Sequence, residues 1–294
     1  MIANGWMIAA TLALLGAAPA SAAPNWAAVD KTLERSGVVQ PDAVHKYSFP
    51  RSDLTVVLDG VTLKPALALG SWLAFAPMGD AASVMGDLVL KQDEVNPVMK
   101  RLLDAGLTIT ALHNHLLRST PLTMYMHVHG HGDPVRLAQA VRSALTLTGT
   151  PLGPVKPPMA SPPLDLDTAA IDRILGASGK AVGGVYQVGI ARPERVTDGG
   201  IPVQPSMGLA NSLNFQPIGN ARAVATGDFV LLASEVDPVL RALRSSDIDV
   251  TALHNHLGDE QPRLFFMHFW ANGDALAVAT GLRKALDATA IRTR

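Results

Sequence analysis

The chain has 294 residues, 24 basic against 25 acidic side chains, 48% hydrophobic residues and no cysteine. Near-zero net charge and sparse charged residues exclude the electrostatic footprint of a nucleic-acid or anionic-membrane binder, and the hydrophobic content is that of a folded globule with a substantial core. Without cysteine, disulfides, thiolate metal sites and a lipid-modified cysteine anchor are all excluded.

Residues 1–22 read as a secretory signal peptide. A short apolar run from Met7 to Ala17 is followed by small residues ending in Ala20-Ser21-Ala22, the A-x-A pattern of a cleavage site, although no Lys or Arg precedes the run. That run is too short to span a bilayer and no other stretch qualifies, so the expectation is a periplasmic or secreted protein with no integral membrane segment after cleavage. A short helix is predicted over Trp26–Ser36. Two hairpin-like stretches follow at 54–65 and 66–79, with Asp59-Gly60 as a strong turn signal, and then a strand through 84–90. In the 91–106 stretch Val95, Val98 and Leu102 recur at helical intervals and Gly106 supplies a C-terminal cap. Strands are predicted at 107–117 and 121–130, then a closing helix over 133–147 with Asp133 as N-cap and Pro134 at its first position.

The chain then repeats itself. Thr110–Leu116 and Thr251–Leu257 are the identical heptad TALHNHL at an offset of 141, which also relates Gly86-Asp87 to Gly227-Asp228, Glu94 to Glu235, Pro97-Val98 to Pro238-Val239 and Gly132-Asp133 to Gly273-Asp274. The organisation read from this is a signal peptide at 1–22, repeat unit 1 at 26–147, a proline-rich linker at 148–164 and repeat unit 2 at 165–291. The fold class is α+β: a tandem duplication of a mixed, mostly antiparallel sheet unit with helices, arranged as a pseudo-twofold pair that buries the outer sheet faces. The two Gly-Asp pairs read as turns or strand irregularities, with a role in a site as the second reading. Asp133 and Asp274 read as helix caps.

Eight of the nine histidines fall in the two repeated segments, five in 110–133 and three in 251–274. Alternation along a strand puts Ile109, Ala111, His113 and His115 on one face, and Tyr125, His127, His129 and His131 on one face of the next strand. A loop centred near Ser119–Thr120 sets His113 roughly opposite His127. Unit 2 repeats the pattern with His254, His256 and His268, and has Trp270 and Asn272 where unit 1 has His129 and His131. Met124 and Met126 lie on the opposite face and read as core rather than copper ligands.

Clustered imidazoles suit a divalent transition metal, zinc first, and copper, iron or manganese with added ligands. The candidate metal ligands are His113, His115, His127, His129, His254, His256 and His268. Three protein ligands would leave a position open for an activated water, and Glu260 or Asp259, in the turn between the unit 2 histidine strands, is the candidate general base. The alternative is a structural duplication whose histidines are internally bonded, since unmet buried imidazoles cost about 1–3 kcal/mol each.

The strings MGDLVLKQDEVNPV (85–98), TALHNHLL (110–117) and PRLFFMHFWANGDALAVATGLRKAL (262–286) resemble the LppY/LpqO family over nearly the whole mature length. That resemblance implies a bacterial envelope location and no particular activity, and this chain departs from the namesakes in lacking the lipid-attachment cysteine. The expectation is an exported metal-binding protein, either a metal-dependent hydrolase acting on a small or envelope-derived substrate, or a non-catalytic binder of metal or a small ligand.

Overall fold

The computed structural model describes residues 23–154 and 163–291. The expected signal peptide and the central part of the proline-rich linker lie outside the described residues. Unit 1 runs α1 (Trp26–Leu33), β1 (Val38–Val39), β2 (His45–Pro50), β3 (Val57–Leu58), β4 (Val61–Thr62), β5 (Gly70–Met78), β6 (Ala81–Lys91), α2 (Gln92–Asp104), β7 (Thr108–His113), β8 (Thr123–Gly132) and α3 (Pro134–Leu145). Unit 2 repeats the series as α4 (Thr168–Leu175), β9 (Lys180–Val182), β10 (Val185–Ala191), β11 (Val196–Asp198), β12 (Ile201–Val203), β13 (Ala210–Gly219), β14 (Arg222–Leu232), α5 (Val236–Arg244), β15 (Asp249–His254), β16 (Glu260–Gln261), β17 (Leu264–Asp274) and α6 (Ala275–Asp287).

Each unit is built on a six-stranded sheet, ordered β1-β2-β5-β6-β8-β7 in the first and β9-β10-β13-β14-β17-β15 in the second, with every pairing antiparallel. The architecture is therefore the α+β tandem duplication read from the repeat. One face of each sheet is covered by its own three helices. Leu73, Phe75, Val84, Leu88, Met126 and Val128 meet Val29, Val98, Leu102 and Val141 in unit 1, and the matching residues of unit 2 form a second core. Met126 and the partly buried Met124 belong to this layer, as their strand face predicts. Asp133 and Asp274 cap α3 and α6 by accepting from Arg136 N and from Leu276 N and Ala277 N.

The opposite sheet faces meet each other. One inter-unit cluster joins Val44, Ala74, Ala76 and Met85 to Val203, Met207, Leu257 and Phe266; the other joins Leu58, Leu67, Val89 and Tyr125 to Val185, Val224 and Trp270. Layers therefore run helices, sheet, sheet, helices. The units also exchange arms. The β3–β4 hairpin of unit 1, turning at Asp59 (φ 47°) and Gly60 (φ 78°), reaches unit 2, where Asp59 accepts from Trp270 Nε1 at 3.0 Å and Gln216 Nε2 donates to Thr62 O at 2.9 Å. Its counterpart β11–β12 reaches back so that Asp198 sits against His129 of unit 1.

A buried arginine clamps each unit in the same way. Arg51 binds Asp53, Glu94 and the Val89 carbonyl, and Arg192 binds Glu194, Glu235 and the Val230 carbonyl, which fixes the strand-to-helix corner that begins α2 or leads into α5. The Gly-Asp pairs are neither turns nor irregularities. Gly86 and Gly227 lie in continuous pairing inside β6 and β14. A Cβ at Gly86 would stand 2.7 Å from the Trp72 carbonyl oxygen and one at Gly227 only 1.7 Å from that of Ser212, so close strand approach is what demands glycine. Among the described residues no helix is long and apolar enough to cross a membrane.

Candidate metal centre

The histidine strands sit at one edge of each sheet, β7 beside β8 and β15 beside β17, and their inner faces look across the interface. Pairing departs from simple alternation. Thr110 and Thr251 are skipped by the ladder, so that Ile109 pairs with Val128 but Ala111 pairs with His127, and Val250 pairs with Phe269 but Ala252 with His268. This bulge reverses the face along the strand. Ile109 therefore packs into the helix-side core while His113 turns to the interface, contrary to the expectation that they share a face. The register also differs by two: His113 stands opposite Tyr125, and His127 opposite Ala111. His115 and His256 lie just beyond the ends of β7 and β15, where the chain leaves the sheet.

The six histidines of both units come together about the pseudo-twofold axis. His113 stacks on His254 with ring centroids 3.5 Å apart, and the crossed pairs His127–His256 and His115–His268 lie at 3.7 and 3.9 Å. The outer walls are equivalent too: His115 stacks on Tyr125 and His256 on Phe266, each at 3.5 Å. One centre is thus shared by the two units.

Hydrogen bonds set the tautomers. The Nδ1 atoms of His113, His254 and His268 lie 3.2, 3.1 and 3.0 Å from the carbonyl oxygens of Asn114, Asn255 and Gly227, and His127 bonds to the Gly86 backbone in the corresponding place. A carbonyl can only accept, so each Nδ1 carries the proton and each Nε2 keeps a lone pair. Those lone pairs face one another. His254 Nε2 and His268 Nε2 are 2.9 Å apart, with both protons committed elsewhere. The Nε2 atoms of His113, His115 and His127, together with His256 Nδ1 and Asp87 Oδ1, are buried without a hydrogen-bond partner.

Burial is the main cause of depressed basicity in all six rings, and neighbouring imidazoles lower five of them further. His113 is brought down to about 3 and His254 to about 4. The centre is a nest of neutral nitrogen donors. Asp87, beside it in β6, is 3.4 Å from His115 Nε2 and 3.9 Å from His127 Nε2; burial and the Asp228 carboxylate push its pKa up to about 8. Its unit 2 counterpart Asp228, raised to about 7 by burial, is offset by Lys46.

Two overlapping groups have ligand atoms all within 4.8 Å of one another: His113, His127, His254 and His256, and Asp87, His113, His115 and His127. His268 falls outside both, although it touches His254. Asp87 was not among the expected ligands, a site role being only the second reading of its Gly-Asp pair; the pair lies on the strand next to β8, with Asp87 directly opposite His127 in the ladder.

Two of the expected site residues lie elsewhere. Glu260 is buried in β16, where it accepts from Leu264 N at 3.1 Å and Arg263 at 3.2 Å, and it belongs to neither metal-competent group. Its carboxylate closes a turn. His129 shares a strand face with His127, but two residues along a strand is a displacement of about 6.6 Å, enough to leave a shared ion. It sits instead between Ser83 and Asp198, with the exposed His131 beside it.

The sequence matches the family described as Domain of Unknown Function (DUF1259) twice, over residues 27–147 and 169–288. The chain belongs to this family. Both copies of the family domain are needed to assemble the histidine centre. No curated protein matches. Among solved structures, a trimeric bacterial microcompartment shell protein, PduB, aligns over 87% of this chain and 91% of its own at 11% identity, with a TM-score of 0.22, too loose an overlap to bear on fold or function.

Proposed function

We propose that the protein is an exported metal-binding protein of the LppY/LpqO kind, holding one divalent transition-metal ion in the centre shared by its two units. The observation that carries this reading is the set of imidazole nitrogens turned toward each other without donors, the Nε2 lone pairs of His113, His127, His254 and His268 among them. Five unpartnered buried atoms at about 1–3 kcal/mol each would together cost about as much as a domain's whole stability. A cation held by either four-residue group relieves part of that cost.

His113, His127, His254 and His256 would supply four nitrogens, with Asp87 and His115 as the alternative donors on the unit 1 side. Zinc fits the all-nitrogen set best, and a carboxylate drawn in from Asp87 would favour manganese or iron. Reaching tetrahedral contact from 4.8 Å separations requires each donor to move inward by no more than about 0.9 Å. Deep burial of His127 and His256, at 2% and 4% exposure, supports capture or stabilisation over hydrolysis, which requires an open coordination position reached by water and substrate. Export rests on the N-terminal pattern and the resemblance of the chain.

Elemental analysis of untagged protein after zinc reconstitution tests the reading. We expect about one ion per chain in the parent and loss of that ion in both His113→Ala and His254→Ala, because each unit contributes to one centre. Negligible metal in the parent would overturn metal binding. Loss in only one variant would overturn the shared centre.

A further inference from the structure

The two ligand groups of the metal centre differ in where their members come from. His113 and His127 belong to both. The first group is completed by His254 and His256 and so spans the two units, whereas the second is completed by Asp87 and His115 and lies wholly within unit 1. The first offers four neutral nitrogens, the second three nitrogens and a carboxylate oxygen. His113 and His127 each spend Nδ1 on a backbone carbonyl and keep one free nitrogen, so neither ring can serve two ions at once. The two positions are therefore alternatives.

The duplication supplies an internal control. The unit 2 counterpart of the second group would be Asp228 with His254, His256 and His268, and among the described residues these do not gather as a ligand group. The two carboxylates also have different surroundings. Asp228 feels the positive charge of Lys46, which crosses the interface, donates to Ser206 O at 3.4 Å and lies 4.6 Å from the centre of the Trp72 ring. In the ladders the unit 2 equivalent of Lys46 is Gln187, which donates to Ala66 O in the matching place and brings no charge to Asp87. A cation of the protein balances Asp228; Asp87 is left for a metal ion to balance.

Resting on the metal-binding reading, we propose that the centre is a two-position site in which the class of ion decides whether the units are tied together. Zinc, satisfied by four imidazoles, takes the position shared by both units and cross-links them. Manganese(II) or iron(II), which bind neutral imidazoles more weakly and favour oxygen, take the position with Asp87 and leave His254 and His256 uncoordinated. The same chain is then locked across its interface by one class of ion and held there only by its apolar contacts and exchanged arms with the other.

The test uses the full chain, stripped with chelator and titrated calorimetrically with zinc or manganese(II). We expect about one ion of either kind per chain, and no more than about one in total when both are supplied. His254→Ala and His256→Gln weaken zinc at least about ten-fold and leave manganese within about three-fold, while Asp87→Asn and His115→Gln do the reverse. The ion each variant retains shows that it is folded. Amide exchange reads the tie: zinc slows β7 and β15 peptides together, manganese those of β7 alone. A parent that binds neither ion overturns the metal reading itself. Zinc bound without manganese, both ions held at once, or losses that do not divide by ion overturn the two positions and leave the shared zinc centre standing. Manganese that slows β15 as much as zinc does overturns the tie.

Discussion

Replacing His127 with leucine separates the metal reading from a purely structural one, because the two give opposite signs. His127 is 2% exposed, its Nε2 has no partner, and its one bond is to the Gly86 backbone. In chelator, the variant removes an unmet buried acceptor worth about 1–3 kcal/mol and loses one ordinary hydrogen bond worth about 1 kcal/mol. The expected change is between no effect and about 2 kcal/mol of stabilisation. With zinc at about a thousand times its dissociation constant, the parent gains about 4 kcal/mol by mass action. At about 2–4 °C per kcal/mol for a protein of this size, its thermal midpoint rises by about 8–16 °C while that of the variant stays put. Differential scanning calorimetry of both proteins with chelator and with zinc reads all four values. A variant that loses 3 kcal/mol or more in chelator, beside a parent indifferent to zinc, would refute the argument, because the imidazole would then be a satisfied core residue.

Acid weakens the metal-free protein. His113 and His254 titrate near 6.5 when unfolded but at about 3 and about 4 when folded, so the unfolded chain binds more protons below pH 6.5, and each residue costs about 2 kcal/mol between pH 7 and 5. His115, His127, His256 and His268 shift the same way, whereas Asp87 and Asp228, held protonated in the fold, work oppositely; six rings against two carboxyls give a net loss, read as a lower urea midpoint at pH 5. Glu260→Gln keeps an acceptor for Leu264 N and loses a half-exposed pair with Arg263, so it costs under about 1 kcal/mol and leaves the metal content unchanged by elemental analysis. Gly227→Ala drives a Cβ into the Ser212 carbonyl, breaks the β13–β14 pairing and costs more than about 3 kcal/mol in urea denaturation. A Gly227→Ala variant with an unchanged midpoint would show that the strands have room to separate.

Much of the site was legible because duplication is an internal alignment. TALHNHL at an offset of 141 marked His113, His115, His254 and His256, and strand alternation added His127 and His268. Alternation also misplaced residues. It could not see the bulges at Thr110 and Thr251, which turn Ile109 to the other face, because a bulge is a property of two strands paired. It grouped His129 with His127, since both are on the inward face, although the arm of unit 2 takes His129 for a different partner. Glu260 stood near the histidines in sequence, yet its backbone turn claims the carboxylate. Asp87 stood behind a glycine that read first as a turn and only second as part of a site.

By itself, the sequence determined local matters: where helices begin and end, which strand faces are apolar, that the unit occurs twice, and which residue types are rich in nitrogen donors. Those follow from periodicity and capping, which act within a few residues. Only the tertiary structure decided that the two histidine sets meet as one centre, that Asp87 joins them and that the arm of unit 2 brings Asp198 to His129. Each of those depends on how two sheets separated by 141 residues pack and which arms they exchange, and side-chain convergence across an interface leaves no period in the chain that makes it.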